Sequence, residues 1–551
     1  MRPVLSAEQI REIDRLTVEN YQTPSVLLME AASSACLEAI RTRLDNELAN
    51  RKALILCGKG NNGGDGAALA RAMSRAGMHC SVVLFGKLSE TSGDARANFD
   101  AVARLASFEA GSPEAPPPMT FIECESVAAW EQIAKPRRAY DIIVDALFGT
   151  GLTRPLEGVY LKVIEHLTML REARERASGV CPLFFSIDIP SGLNADQAKP
   201  IGPAVQADLT VTFTAAKTAN VLPPACEFGG ELIVADIGSP SSLIAAAKPF
   251  LFVTEAEDAR AWLASTRYTP DSYKNTHGHV LIAAGSRGYS GAAALCGNAA
   301  MRSGAGLVTI ATPASAQVSV ASSAMPEVIT TALAETDRGV VSDEATNHFL
   351  KLAEKATVVA IGPGLTSDDE RTRRFVRSVV EQRTTPCVID ADGLNSLAPW
   401  PATLKGSDEH PLILTPHPGE MLRLIDKSDL DDRVATAREF ATAHHVVLVL
   451  KGARPLIATP GGRVFINPTG NAGLGTAGAG DTLTGLISGF LAQAYGTLKD
   501  RANAIRATVA ALYVGGLAGD FAAKRLGMRT MLASDIREHL SEAIRSLDPD
   551  V

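Results

Sequence analysis

Two aspartates stand in surroundings suited to acid–base work. Asp481 closes the run "GTAGAG", residues 475–480, and Asp188 lies in "FFSIDIPSGLNAD" at the end of an apolar stretch. After Asp481, Leu483, Leu486, Ile487 and Phe490 recur at i, i+3, i+4 and i+7, so a helix begins there and docks by an apolar face. Backbone N–H groups at a helix start lack intrahelical acceptors and can hold a phosphate. A carboxylate at the same end can take a proton from an attacking hydroxyl. An isolated first-turn aspartate would only complement the helix dipole; the preceding glycines, Gly480 the last of them, favour the chemical reading. The chain has no G-x-x-x-x-G-K-[ST], which argues against a P-loop enzyme.

The first half offers a second constellation. "GKGNNGGDG", residues 58–66, lies between the apolar run "ALILC" and the helical pattern "AALARAMSRAG", and reads as a turn opened for something bulky or anionic. It contains G-x-G-x-x-G, but the next strand ends in Gly86 and Lys87, where a dinucleotide site would want a carboxylate for a ribose hydroxyl. Asn61, Asn62 and Asp65 instead offer hard oxygen ligands for a cation. "DIIVDALFGTGLTRPLEG" puts Asp145 at a strand end before the loop at 149–155, and Asp188 and Ser191 follow another strand. Carboxyl ends of parallel strands share one edge, so the three loops can line one crevice.

Those strands need a scaffold. Continuous Val/Ile/Leu runs alternate with helical patterns throughout, which predicts α/β architecture with parallel sheets covered on both faces. At 551 residues the chain is long enough for two cores, and a break near "ADIGSPSSLIAAAKPF" suggests domains over 1–243 and 252–545. "GSPEAPPP" reads as a surface loop. A net charge of −8 argues against a general nucleic-acid binder, and no apolar run is long enough to span a bilayer. Without a signal-peptide core in "MRPVLSAEQIREIDR", a cytoplasmic location is the expectation. The eight cysteines are scattered with no CxxC pair, so neither zinc site nor disulfide framework is indicated; most are expected to be core residues.

With these motifs in view, residues 5–240 resemble the NAD(P)H-hydrate epimerase family through "GNNGGDG", "VDALFGTGL" and "IDIPSGLNAD". The resemblance implies a Rossmann-like three-layer domain. It implies that Asn61, Asn62, Gly63, Gly64 and Asp65, the loop Gly149, Thr150, Gly151, Leu152, Thr153, Arg154 and Pro155, and Asp188 contact the hydrated nicotinamide nucleotide. It further implies that Asn62, Asp145 and Ser191 hold a potassium ion and that Asp188 is the acid/base. Ser33 stands where that family usually has glycine, and "NADQAK" lacks its usual Thr-Gly pair.

Residues 255–535 are similar to the NAD(P)H-hydrate dehydratases, through "GSRGYSGAA", "AIGPGL", "VIDADGLN", "LTPHPGEMLRL", "VVLVLKGA" and "NAGLGTAGAGDTLTG". This implies a ribokinase-like three-layer domain in which Gly306, Gly364, His417 and Asp481 face the substrate. Lys451, Gly452, Ala453, Arg454, Pro455 and Gly480 would face the adenine nucleotide, with Arg454 and Pro455 departing from the commoner small-residue and Thr pair. ADP as phosphoryl donor, magnesium, and a homo-oligomer follow as expectations. The chemistry implied is repair: phosphorylating the hydroxyl of a hydrated nicotinamide makes it a good leaving group, and an epimerase gives access to the epimer that the dehydratase rejects. A small-molecule kinase in the second half and a scaffold or RNA-associated module in the first are the alternatives. The dehydratase-type motifs, the joint presence of Asn62, Asp145 and Asp188, and the acidic charge speak against them.

Overall fold

The computed structural model describes residues 1–109, 118–134, 140–176, 182–499 and 502–548. The expected Pro-rich surface loop lies outside the described residues except for Pro118, and Cys181 lies outside them altogether. Of the described cysteines all but Cys226 are buried. The chain divides into two compact units: Pro3–Pro249, and Phe250–Val551 together with Met1–Arg2. The expected first boundary at residue 243 falls inside helix Ser241–Ala246, which stays with the first unit.

In the first unit the strands β1 (Lys52–Cys57), β2 (His79–Leu84), β3 (Met119–Glu123), β4 (Ile142–Ala146), β5 (Leu183–Ile187), β6 (Leu209–Phe213) and β7 (Glu231–Ala235) form one sheet. Their order is β3-β2-β1-β4-β5-β6-β7, parallel throughout. Alternation along β1 shows why both faces are apolar. Ala53, Ile55 and Cys57 pack with Cys36, Leu69 and Phe99 from helices Ser25–Arg43, Asn61–Arg75 and Gly93–Glu109. Leu54 and Leu56 pack with Trp130, Ile164 and Leu167 from helices Val127–Ala134 and Gly158–Arg176 on the other face. Strand order reverses direction between β1 and β4, and a crevice opens at the carboxyl ends of such a pair.

The second unit contains β8 (Leu251–Val253), β9 (His279–Ala283), β10 (Leu307–Pro313), β11 (Ile329–Leu333), β12 (Val358–Ile361), β13 (Cys387–Ile389), β14 (Leu412–Leu414), β15 (Val447–Leu450), β16 (Leu456–Ala458) and β17 (Val464–Ile466). These run in the order β8-β17-β16-β15-β14-β13-β12-β9-β10-β11. The β15–β16 and β16–β17 pairs are antiparallel, the other pairs among these strands parallel. A short connection cannot make a parallel crossover, so residues 451–455 form a hairpin turn. The reversal of strand order here lies between β9 and β12.

The helix expected after Asp481 spans Ala479–Gln493. Leu486, Ile487 and Phe490 are buried as expected, with Phe490 stacked on Trp262 at 4.2 Å between ring centroids, while Leu483 is only partly buried. Its other side packs on helix Ser290–Arg302, and only glycine permits the approach. A Cβ at Gly485 would lie 2.0 Å from the Cys296 carbonyl oxygen, and one at Gly489 1.9 Å from Ser303 Oγ.

Candidate active sites

Helix Asn61–Arg75 starts six residues before the apolar helical pattern that begins at Ala67, so "NNGGDG" is its first turns rather than a loop. The glycines are packing devices. A Cβ at Gly63 would sit 1.8 Å from the Gly58 carbonyl oxygen, and one at Gly64 2.8 Å from Ala95 Cα. The cap residue Gly60 supplies no side-chain acceptor, leaving the first N–H groups of the helix open at the switch point between β1 and β4.

Asp188, at φ 67° directly after β5, is held over the same edge. Its Oδ1 accepts from Thr212 Oγ1 at 2.8 Å and from the buried Lys217 Nζ at 2.6 Å. Lys217 also donates to Thr212 Oγ1 and the Phe213 carbonyl, and Asn220 Nδ2 holds the Asp188 carbonyl at 3.2 Å. Gly149 completes the pocket: a Cβ there would come within 3.1 Å of both Asn62 Oδ1 and Asp188 Oδ2, so its hydrogen leaves the space between the two open. Burial, then the charges of Asp188 and Asp14, push the Asp65 carboxyl well above the ordinary range. Asp14 itself is raised to about 6, by burial and by Asp188 against the opposing Lys217, and its Oδ1 is buried without a partner.

Asp145 is a brace within this edge. Its carboxylate is 1 % exposed and accepts from Ser191 Oγ (2.6 Å), Ser191 N (2.8 Å), Ser186 Oγ (3.0 Å) and Leu147 N (3.3 Å). Burial pushes it upward, and these donors, all neutral, oppose that push. Ser191 Oγ accepts from Phe148 N, which ties the two loops together. Beyond Gly149 the expected binding loop diverges: Leu152 is buried in the core and offers only backbone, while Gly151, Thr153, Arg154 and Pro155 are exposed. Ser33 is absorbed in its own helix, bonded to the Glu30 carbonyl.

In the second unit Asp481 occupies the first turn of its helix behind Gly478, a left-handed cap at φ 85° that gives no side-chain bond. Directly beneath lies a buried charge network. Lys451 Nζ donates to Asp390 Oδ1 at 2.7 Å and stands 3.7 Å from Glu420 Oε2, while Thr484 Oγ1 donates to Asp390 Oδ2 at 2.7 Å. A Cβ at Gly480 would be 3.4 Å from the Lys451 nitrogen. Burial, and then the Asp390 charge, raise the Asp481 carboxyl to about 6 against the pull of Lys451. A carboxylate titrating there can accept a proton near neutral pH.

The remaining expected residues divide. Gly364, at φ 66°, faces the loop after β9, 2.9 Å between a hypothetical Cβ and the Tyr289 carbonyl, and its own carbonyl accepts from Ser286 Oγ at 2.8 Å. His417 is half-exposed on the same carboxyl edge; its Nδ1 caps helix Pro418–Ile425 by accepting from Gly419 N and Glu420 N. Gly306 lies elsewhere. It precedes β10, at the amino edge opposite Asp481, and its hydrogen faces the Lys274 carbonyl, where a Cβ would stand at 1.6 Å. Its place is fixed by packing, and the glycine-bearing loop that does reach the carboxyl edge is the one after β9. Lys451 is braced under the helix, apart from the exposed Gly452 and Ala453, and Arg454 takes φ 53° in the hairpin turn.

Sequence reading missed Lys217, Thr212, Asp14, Asp390, Glu420 and Thr484. Asp390 had the same signal as Asp145 and Asp188, an acid closing an apolar run. Lys217 had a weaker one: a lone cation just beyond a strand that becomes 1 % exposed.

An aspartate next to a buried lysine at the carboxyl edge of each sheet marks a two-site α/β enzyme. The family model described as YjeF-related protein N-terminus matches residues 25–219, and that described as NAD(P)H-hydrate dehydratase matches residues 280–542. The chain belongs to the family of bifunctional NAD(P)H-hydrate repair enzymes, which join an epimerase and a dehydratase. It is 37% identical to the bifunctional NAD(P)H-hydrate repair enzyme Nnr of Moorella thermoacetica, covering 100% of this chain and 98% of that one. The Escherichia coli relative of the same name is 31% identical over 99% and 94%. Among solved structures, the ADP/ATP-dependent NAD(P)H-hydrate dehydratase of Bacillus subtilis, co-crystallized with ATP/Mg2+, is 30% identical, with TM-score 0.46 over 54% of this chain and 99% of that one. Among the described residues no helix is long and apolar enough to cross a membrane.

Proposed function

We propose that the second unit dehydrates S-NAD(P)H hydrate with ADP as phosphoryl donor, and that the first unit interconverts the R and S epimers. The observation that carries the reading is Asp481, raised to about 6, at an open helix start above the Lys451–Asp390 pair. Asp481 takes the proton of the substrate hydroxyl while its oxygen attacks the terminal phosphorus of ADP. The phosphorus–oxygen bond to AMP breaks, and the N–H groups of residues 478–480 meet the developing charge. The ring nitrogen's lone pair then expels phosphate, and loss of a proton from the neighbouring carbon restores NADH or NADPH. Gly364 and His417 would line the substrate side, and 451–455 with Gly480 the nucleotide side.

In the first unit Asp188 would serve as acid/base at the hydroxyl-bearing carbon, oriented by Lys217 and Thr212. Asn61 to Asp65 and the loop from Gly149 would contact the nucleotide, by backbone where side chains turn inward. Asn62, Asp145 and Ser191 fit a potassium ion in charge: the buried Asp145 carboxylate has only neutral donors. Because the Asp145 oxygens already accept four bonds, Asp145 would supply charge, and the Asn62 and Ser191 oxygens direct contact. A bound potassium ion would supply positive charge near the nucleotide's phosphates. For magnesium, no grouping of three or more His, Cys, Asp or Glu able to hold a metal occurs among the described residues, so the ion would arrive on the phosphates of ADP. A homo-oligomer in the cytoplasm, beside the coenzyme pool, completes the reading. The test is product stoichiometry: one AMP and one phosphate per NADH formed from the hydrate and ADP. A phosphorylated product that accumulates without NADH would mean a kinase instead.

A further inference from the structure

We propose that Asp390 is a positioning residue for the dehydration step: it holds the Lys451 ammonium beneath the first turn of helix Ala479–Gln493 and so sets the charge that Asp481 meets. The inference rests on the dehydratase reading above and adds a residue to it.

Three observations meet at Asp390. It closes β13 at 1 % exposure, a carboxylate that could not be buried without partners. One oxygen takes the Lys451 ammonium at 2.7 Å; the other takes Thr484 Oγ1 at 2.7 Å, and Thr484 lies one turn into the helix that carries Asp481. A Cβ at Gly480 would be 3.4 Å from the Lys451 nitrogen and 3.7 Å from Asp390 Oδ2, so the pair lies within van der Waals reach of the helix start. Asp390 thus joins strand, lysine and helix.

Charge gives the arrangement its consequence. The groups acting on Asp481 are Asp390, Asp392 and Glu420, which disfavour its ionised form, and Lys451, which favours it. Glu420 is itself held by His417 N, and Asp392 accepts from Thr366 N, so the acids come from different elements. Asp390 outranks the other two in effect on Asp481. Removing its charge while leaving Lys451 makes Asp481 easier to ionise; removing Lys451 makes it harder.

The experiment compares pH–rate profiles of NADH formation from S-NADH hydrate and ADP, with the full-length wild type, Asp390→Asn, Asp390→Glu and Lys451→Met. In Asp390→Asn the acidic limb moves down by about one pH unit, and the plateau falls about 10- to 100-fold because Lys451 loses its anchor. In Lys451→Met the limb moves up. Asp390→Glu restores the wild-type limb with part of the rate. Damage to packing alone would lower the plateau and leave the acidic limb in place, and that result overturns the proposal. If Asp390→Asn does not fold, the Lys451→Met limb decides: upward supports the proposal, unmoved overturns it. A wild type that forms no NADH overturns the dehydratase reading and this proposal with it, whereas an active wild type with unmoved limbs overturns the proposal alone.

Discussion

At the scale of single residues, both candidate bases owe their usefulness to what surrounds them. Asp188 is oriented by Lys217 and Thr212, so Asp188→Asn is expected to slow epimer exchange about a thousandfold while leaving dehydration of the S epimer within about twofold, as followed by chromatography of the two epimers. Equal loss of both activities would break the assignment of sites to units. Lys217→Met removes a cation that is 1 % exposed and leaves Asp188 unpaired, at an expected cost of about 3–5 kcal/mol in denaturant unfolding of the first unit. Asp481 is the candidate base of the second unit. Its carboxyl is raised to about 6 by burial and by Asp390, and the base form is the ionised one. Dehydration should therefore fall about tenfold per pH unit below about 6 and be flat above it, and a profile with no break there would exclude Asp481 as the base.

At the scale of elements, the helix starts place the chemistry, and glycine contacts place the helix starts. Gly63→Ala would force a Cβ to 1.8 Å from the Gly58 carbonyl oxygen, so epimerisation should be lost and the first unit destabilised, with dehydration unaffected. Asp208 tests a structural pair. Partly buried, it is held below its ordinary range despite desolvation, by Arg174 at 2.6 Å, the Phe184 N–H and Arg171. A depressed carboxyl contributes stability that is present above the unfolded-state value and lost as pH falls through the folded one. Asp208→Asn should cost about 1–3 kcal/mol at neutral pH, and the difference from wild type should vanish in strong acid. The strands that were legible in the sequence were those with both faces covered, such as Leu183–Ile187 and Cys387–Ile389, because burial on both sides leaves a continuous apolar run. The edge strand Met119–Glu123 is half-covered and its apolar residues are interrupted by Thr120, whereas Glu231–Ala235 keeps the short run Leu232 to Ala235 although it too is half-covered. Asp145, Asp188 and Asp481 could be found because each closes a local pattern. Lys217 and Glu420 were harder to find, since the carboxylate of Asp188 and the ammonium of Lys451 that they face come from distant parts of the chain. The place of Gly306 was not legible either: a glycine-rich string does not say which edge of the sheet it reaches.

At the scale of the whole molecule, two independent sites on one chain make a separable pair of activities. Asp188→Asn and Asp481→Asn each lack one activity, so a mixture of the two full-length variants should repair both epimers, because the epimer released by one is free to reach the other. Failure of the mixture, with each variant folded and retaining its remaining activity, would mean that the intermediate must pass within one chain. The most direct measurement is recovery of absorbance in the NADH band when the wild type meets both NADH-hydrate epimers with potassium, magnesium and ADP. Complete recovery is the expected result. Recovery that stops at the share of one epimer, or none at all, would contradict a chain that both epimerises and dehydrates.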